Sequence, residues 1–239
     1  MNSSSKPWIK FSLQPKKNLI IAIDGPAGSG KSTTAHLLAK RLSYSYLDTG
    51  AMYRALTWKA LKDKVNIKDE KALSQLAKKI QICLKPGSNV ETKVYLDNKD
   101  VTSLIRCPEI NKYVSLVSIV KGVREAMVAQ QKKMGKHGGI VAEGRDTTTV
   151  VFPKADIKIF LNASFEERVE RRWKEEKTKG ISSNKEKVAT GLLERDRIDS
   201  QRKTSPLKIS EKAIVIDNTH LSISQTVDKI LKQVKKTIK

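Results

Sequence analysis

The chain has 239 residues, with 47 Lys and Arg against 25 Asp and Glu, for a formal net charge of +22. That length suits one α/β domain with an inserted lobe, and the charge keeps nucleic acid and smaller polyanions among the candidate partners. No apolar run approaches the roughly 20 residues of a membrane span, and two cysteines, Cys83 and Cys107, without C-x-x-C spacing exclude a disulfide scaffold or a zinc knuckle and predict a cytoplasmic protein with reduced thiols.

Residues 1–17 carry Lys6, Lys10, Lys16 and Lys17, no acid and no continuous apolar core, so a poorly ordered tail without a signal peptide is expected. Leu19-Ile20-Ile21-Ala22-Ile23 is an apolar, largely β-branched run that predicts a buried strand. Gly25-Pro26-Ala27-Gly28-Ser29-Gly30-Lys31-Ser32 then fits G-x-x-x-x-G-K-[ST] at every fixed position. In that pattern glycines let backbone N–H groups converge on phosphate oxygens, Lys31 reaches the outer phosphates, and the Ser32 hydroxyl is placed to ligate Mg²⁺. Thr33 to Leu42, with Leu37, Leu38 and Leu42 at helical spacing, completes the strand–loop–helix order that a phosphate-binding loop requires. Gly25 through Thr33 are therefore the candidate site for a nucleoside triphosphate, with Mg²⁺ on Ser32.

Tyr44 to Leu47 predicts a second strand, Asp48-Thr49-Gly50 a turn, and Ala51 to about Lys62 a helix. Lys68 to Lys79 is an amphipathic helix with Leu73, Leu76 and Ala77 inward. Ile80 to Leu84 and Thr92 to Leu96 are strand-like around the turn Pro86-Gly87-Ser88-Asn89, which predicts a small antiparallel sheet inserted into the core. Helices follow at Pro108 to Ile119 and Val123 to Met134. Ile140-Val141-Ala142 returns to the core and ends at Glu143-Gly144-Arg145-Asp146; Ile157 to Leu161 and Ala213 to Ile216 supply the remaining core strands. Ser164 with Glu167, and Ser222 with Gln225, predict capping boxes. Glu166 to Lys179 and Lys185 to Gln201 are dense in charge and poor in apolar residues, as two exposed helices of a mobile lid would be. Alternating β and α elements give a five-stranded parallel sheet with helices on both faces.

In such a sheet ligands bind beyond the carboxyl ends of the strands, where the phosphate loop, Asp48, Glu143 to Asp146 and Asp217 all fall. Arg54, Arg124 and Arg145 lie in or near the turns at this edge, and Arg168, Arg171, Arg172, Arg195, Arg197 and Arg202 populate the lid. Arginine at motif positions in a lysine-rich chain suits a planar, bidentate grip on phosphate. His36, His137 and His220 show no metal-ligand spacing and receive no role.

The strings Ile23 to Ser32, Leu47-Asp48-Thr49-Gly50-Ala51-Met52-Tyr53-Arg54, Gly144-Arg145-Asp146, Thr149-Val150-Val151-Phe152-Pro153 and Glu194-Arg195-Asp196, in this order and spacing, resemble the bacterial cytidylate kinases. The resemblance runs from about Asn18 to the C-terminus. It implies ATP-dependent phosphorylation of CMP and dCMP on a P-loop fold, with core 18–64, 135–163 and 203–239, a nucleoside-monophosphate-binding insert at 65–134 and a lid at 164–202. It further implies Ser115, Arg124 and Asp146 at the cytosine, Thr49 at the acceptor site, Arg54 and Arg145 at the monophosphate, Arg195 and Asp199 at the ribose, and Arg202 as a further phosphate ligand. Lys31, Arg168 and Arg172 would neutralise the ATP phosphates as catalytic groups. A monomer without specific nucleic-acid or membrane partners is expected. The chain departs from the family pattern at Thr148, where glycine is usual and a positive φ would be strained, and at Arg197-Ile198 in the lid.

Two other readings fit parts of the chain. Another P-loop kinase of a small acceptor, such as uridylate, adenylate or shikimate kinase, differs only in the acceptor-site residues. A nucleic-acid-binding module using ATP as a switch requires a basic stripe with interleaved aromatics, whereas this chain is 5% aromatic with dispersed lysines.

Overall fold

The structure, a computed structural model, describes residues 18–87 and 92–238, so the expected tail and part of the turn Pro86-Gly87-Ser88-Asn89 lie outside the described residues. The chain enters through β1 (Ile20–Asp24), α1 (Lys31–Leu42), β2 (Ser45–Asp48) and α2 (Thr49–Lys62). An insert follows: α3 (Glu70–Lys79), β3 (Ile82–Pro86), β4 (Thr92–Leu96), β5 (Lys99–Asp100), α4 (Pro108–Ser118) and α5 (Lys121–Met134). The chain returns as β6 (Ile140–Gly144), a π-helical turn (Thr147–Val151) and β7 (Ile157–Asn162), then continues through α6 (Phe165–Thr178), α7 (Lys185–Gln201), β8 (Ile214–Asp217) and α8 (Ile223–Ile238).

The five core strands lie in the order β2-β6-β1-β7-β8, and every pairing is parallel, as the βα alternation predicts. Alternation along β1 sends Ala22 to one face and Ile21 and Ile23 to the other. Ile21 and Ile23 pack with Leu38, Leu42, Val227 and Ile230 of α1 and α8. On α8 the apolar stripe Val227, Ile230 and Val234 is buried, while Lys229, Lys232, Lys235 and Lys236 lie off that stripe, as the helical period requires. Ala22, Leu47 and Ala142 face α2, α3 and α5, and this core continues through Met127 into Val94 and Leu96 of the antiparallel β3-β4-β5 sheet. The insert therefore shares the core of the main sheet.

Several local expectations shift for identifiable reasons. Asp48 accepts a hydrogen bond from the Ala51 N–H at 2.8 Å, an N-cap that draws Thr49 and Gly50 into α2 instead of leaving them in a turn. Ile80 N–H bonds to the Leu76 carbonyl and Gln81 N–H to the Asp97 carboxylate, so β3 starts at Ile82, not Ile80. Ser222 and Gln225 form a reciprocal capping box at 2.9 and 3.2 Å. Ser164 makes only half of one: it accepts from Glu167 N–H, while its own N–H donates to Thr219 and the Glu167 carboxylate accepts from Arg171.

One expectation is corrected. The lid helices are not without apolar anchorage: Val169, Val188 and Leu192 are buried against Ala27 of the phosphate loop, with Phe165, Trp173 and Ala189 packed around them. At Thr148 the condition for strain is not met, because its φ is not positive; the residue lies in the π-helical turn.

Candidate active site

Register aligns the carboxyl ends of the core strands. Asp48 stands beside Glu143, Asp24 beside Gly144, and Asn162 beside Asp217. Above this edge lies a cleft of about 1330 Å³, walled by the phosphate loop, α4, the β6 end and the lid.

The phosphate loop has the backbone its spelling predicts. Gly28 and Gly30 sit at φ of +75° and +83°, in the region that favours glycine. Gly25 is fixed by crowding as well, since a Cβ there would lie 2.0 Å from the Leu161 carbonyl oxygen. Lys31 is buried, and its Nζ donates to the Pro26 carbonyl at 2.6 Å and to Ser29 Oγ at 3.3 Å. Asn218 Nδ2 donates to the Ser29 carbonyl at 3.0 Å and so braces the loop from the end of β8. Ala27, Gly28, Gly30, Lys31, Ser32 and Thr33 line the cleft; Gly25, Pro26 and Ser29 support it from behind.

Cations crowd this edge. Burial, then repulsion from Arg145 and Arg195, lowers the Lys31 ammonium to about 7. Arg195 is lowered to about 9 by burial and by the neighbouring Arg145, Arg54 and Arg172. Neither Arg54 nor Arg195 has an acidic partner within 4 Å among the described residues. Arg172 lines the cleft but is held by Glu175 at 3.1 Å and Glu176 at 2.9 Å. Arg168 turns away from the cleft: it donates to the Ala27 carbonyl at 3.0 Å, pairs with Asp196 and stacks on Phe165. Arg171, which received no separate role from sequence, lines the cleft and donates to Asn218 at 3.0 and 2.8 Å.

The far end of the cleft is built around a buried ion pair. Arg124 pairs with Asp146 and also donates to the Ser118 carbonyl at 3.0 Å, which ties α5 to the end of α4 beside Ser115. Arg202 approaches the other Asp146 oxygen at 3.9 Å, and the Tyr53 ring lies 5.4 Å from the Arg124 guanidinium. Asp199 accepts from Arg145 Nε at 2.8 Å and faces Arg202 at 3.5 Å; these cations hold its carboxyl below the usual range despite burial. Tyr53 Oη and Arg202 Nη2 are buried without hydrogen-bond partners among the described residues, and both residues line the cleft. Burial pushes the Tyr53 phenol up to about 12, which keeps it a donor. Thr49 lines the cleft, and its hydroxyl donates to the Glu143 carbonyl at 2.7 Å.

Between the two ends stands Glu143, which sequence reasoning placed at the edge without a role. Its Oε1 accepts from Ser32 at 2.8 Å and from Tyr46 at 3.3 Å. Burial and the adjacent Asp48 raise its pKa. Among the described residues no group of three or more His, Cys, Asp or Glu side chains is arranged to hold a metal ion. A hydroxyl and a carboxylate, both hard oxygen donors, are nevertheless what Mg²⁺ takes from a protein when nucleotide phosphates and water complete its shell. Asp24, Tyr53, Asp196 and Asn218 also went unassigned from sequence. Asp24, Tyr53 and Asp196 stood inside the strings that carry the family resemblance, which was the signal available; none marked Asn218.

A cytidylate kinase family profile matches residues 21–236. The cytidylate kinase of Geobacillus sp. (strain WCH70) is 49% identical over 223 residues, covering 93% of this chain and 99% of its own. That of Bacillus thuringiensis (strain Al Hakam) is 46% identical over 215 residues, covering 90% and 95%. A solved shikimate kinase from Acinetobacter baumannii is similar only distantly, with a TM-score of 0.47 and 14% identity over 92% of this chain and 95% of its own.

Proposed function

The chain belongs to the cytidylate kinase family, and from that premise we infer that it transfers the γ-phosphoryl group of ATP to CMP and dCMP, releasing ADP and CDP or dCDP. The observation that carries this reading is the convergence of Lys31, Arg54, Arg145 and Arg195 on one cleft with the phosphate loop, where burial and mutual repulsion lower Lys31 to about 7 and Arg195 to about 9. Polyanions relieve the repulsion within such a cluster, and a donor triphosphate next to an acceptor monophosphate supplies them.

In the proposed assignment Gly25 to Thr33 and Lys31 hold the ATP phosphates, while Arg54 and Arg145 hold the monophosphate. Arg172 stands over the transferred group, and Arg202 adds a further phosphate contact. Arg168 instead fixes the lid to the loop, and so acts as a positioning residue. Ser32 and Glu143 would hold Mg²⁺. When bound, the ion neutralises charge on the β- and γ-phosphate oxygens. An oxygen of the CMP phosphate bonds to the γ-phosphorus as the bond to the β-bridging oxygen breaks, so no enzyme nucleophile is needed. Catalysis then consists of alignment and charge neutralisation, in which one arginine is worth ~10³ to 10⁵ in rate.

For the base, Asp146 accepts from the exocyclic amine of cytosine, and Arg124 and Ser115 serve the ring acceptors. Arg195 and Asp199 serve the ribose hydroxyls. The protein is assigned to the cytoplasm on the support of two free cysteines and nucleotide substrates, and a monomer is proposed with it. Coupled measurement of ADP release with CMP, dCMP, UMP, AMP and shikimate tests the reading. Efficient turnover of CMP and dCMP alone is expected, and preference for any other acceptor, or recovery of a kinetically competent phosphoenzyme, overturns it.

A further inference from the structure

Directly beneath the acceptor residues lies a carboxylate with no cation paired to it among the described residues. Asp24 ends β1, one residue before the phosphate loop, and is fully buried. Its Oδ1 accepts from Thr147 N–H at 2.8 Å and Thr147 Oγ1 at 2.7 Å; its Oδ2 accepts from Thr148 N–H at 2.7 Å and Thr148 Oγ1 at 2.6 Å. Both threonines are buried as well. Four short bonds to one carboxylate is a high degree of satisfaction, and it offsets part of the burial that raises this carboxyl above its ordinary range. Two of the four come from hydroxyls, and the one on Thr148 stands at the position where this chain departs from the family pattern.

We propose that Asp24, through the hydroxyls of Thr147 and Thr148, is a positioning device for acceptor recognition: it locks the corner after β6 that carries Arg145 and Asp146. This rests on the assignment of CMP as the acceptor. The phosphate loop has other fasteners, including Lys31 on the Pro26 carbonyl and Asn218 on the Ser29 carbonyl. The Asp146 corner is held from the acceptor side by the Arg124 and Asp199 ion pairs, which do not tie it to β1. The Val150 and Val151 N–H groups both donate to the Asp146 carbonyl, at 2.8 and 3.2 Å, and the Phe152 N–H donates to the Thr147 carbonyl at 2.8 Å. These bonds keep the π-helical turn wound, but the link from that turn to the central strand is the Asp24 grip. Releasing the hydroxyls therefore loosens the acceptor side more than the donor side, and the geometry of Asp146 toward the base and of Arg145 toward the phosphate degrades together. A misplacement of about 1 Å can cost ~10²-fold in rate.

The test is the pair Thr147→Val and Thr148→Val, singly and combined, with Thr148→Ser as the conservative control. All are assayed on the full chain with initial rates at varied CMP and varied ATP and with thermal unfolding. The double variant is expected to raise KM for CMP about tenfold or more while KM for ATP changes less than about twofold, and Thr148→Ser is expected to stay near the parent. A fall in Tm with both KM values unchanged, or an equal rise in both, would mean that the threonines serve the fold alone and overturns the proposal. If the double variant does not fold, Thr148→Val alone decides by the same split. Should the parent protein itself fail to phosphorylate CMP, the functional assignment fails instead, and the two failures are told apart by that control.

Discussion

The carboxylate of Asp196, on α7, accepts a hydrogen bond from the backbone N–H of Ala27 at 3.0 Å. Arg168, on α6, closes the arrangement by donating to the Ala27 carbonyl and pairing with the same Asp196. One phosphate-loop residue is thus gripped at both of its backbone polar groups by the two lid helices. Apolar packing of Val169, Val188 and Leu192 on the Ala27 methyl covers the contact. The lid is fastened to the donor site through the loop itself.

Breaking that latch should loosen the lid without unfolding the core. In Asp196→Ala, backbone hydrogen exchange across residues 164–202 is expected to quicken relative to the parent, with β1, β6 and β7 unchanged. In the parent a bisubstrate analogue should further protect the segment, because few of its contacts are apolar. Equal exchange in the two proteins would remove the latch.

Lys31 should take up a proton when ATP binds. Its pKa of about 7 in the ligand-free protein lies below the ordinary 10.5, so between those values the folded protein holds fewer protons than the unfolded chain. The penalty is complete below pH 7, and the stability of the ligand-free protein rises with pH through this window. Bound phosphates reverse the balance and restore the charged form. Calorimetry of ATP binding at pH 8 in buffers of differing ionisation enthalpy is expected to show uptake of roughly 0.9 proton. Lys31→Met should abolish the uptake and most turnover while leaving the fold intact. Equal heats in every buffer would show that Lys31 is already charged.

The strand–loop–helix at Gly25 to Ser32 and the five parallel strands were legible because the signals are local: a run of β-branched residues, glycines at fixed offsets, a periodic stripe. The contact between Asp24 and Thr148 was not, since 124 residues separate the partners and nothing in either neighbourhood names the other. Arg168 and Arg172, four apart on one helix, read alike in sequence. Only the packing of α7 shows that Arg168 meets Asp196 while Arg172 faces the cleft. The lid's apolar residues were few enough to look incidental until three of them met at Ala27.

Glu143→Gln should raise the Mg²⁺ concentration needed for half-maximal rate by about tenfold to a hundredfold, the usual cost of losing an outer partner of a metal site. The neutral amide retains the contact with the Ser32 hydroxyl but not the charge. Since Glu143 faces Ser32 and not the Arg124–Asp146 pair, the ratio of CMP to UMP efficiency should hold. An unchanged Mg²⁺ requirement would place the ion elsewhere.

Acceptor choice should rest on Asp146. One of its oxygens is engaged by Arg124, and the other has only Arg202 at 3.9 Å among the described residues, which leaves it an acceptor for the cytosine amine. Against the O4 of UMP the same oxygen would set two acceptors face to face in a buried pocket, where such a mismatch can be worth ~10⁴ to 10⁵ in discrimination. Asp146→Asn supplies a donor for O4 but weakens the Arg124 pair. The CMP to UMP ratio of kcat/KM is therefore expected to fall by about a hundredfold or more, chiefly through loss of CMP. If Asp146 served only to orient Arg124, the variant would slow both substrates alike. Initial rates with the two nucleotides separate these cases, and an unchanged ratio would eliminate base reading by Asp146 while leaving phosphoryl transfer to CMP in place.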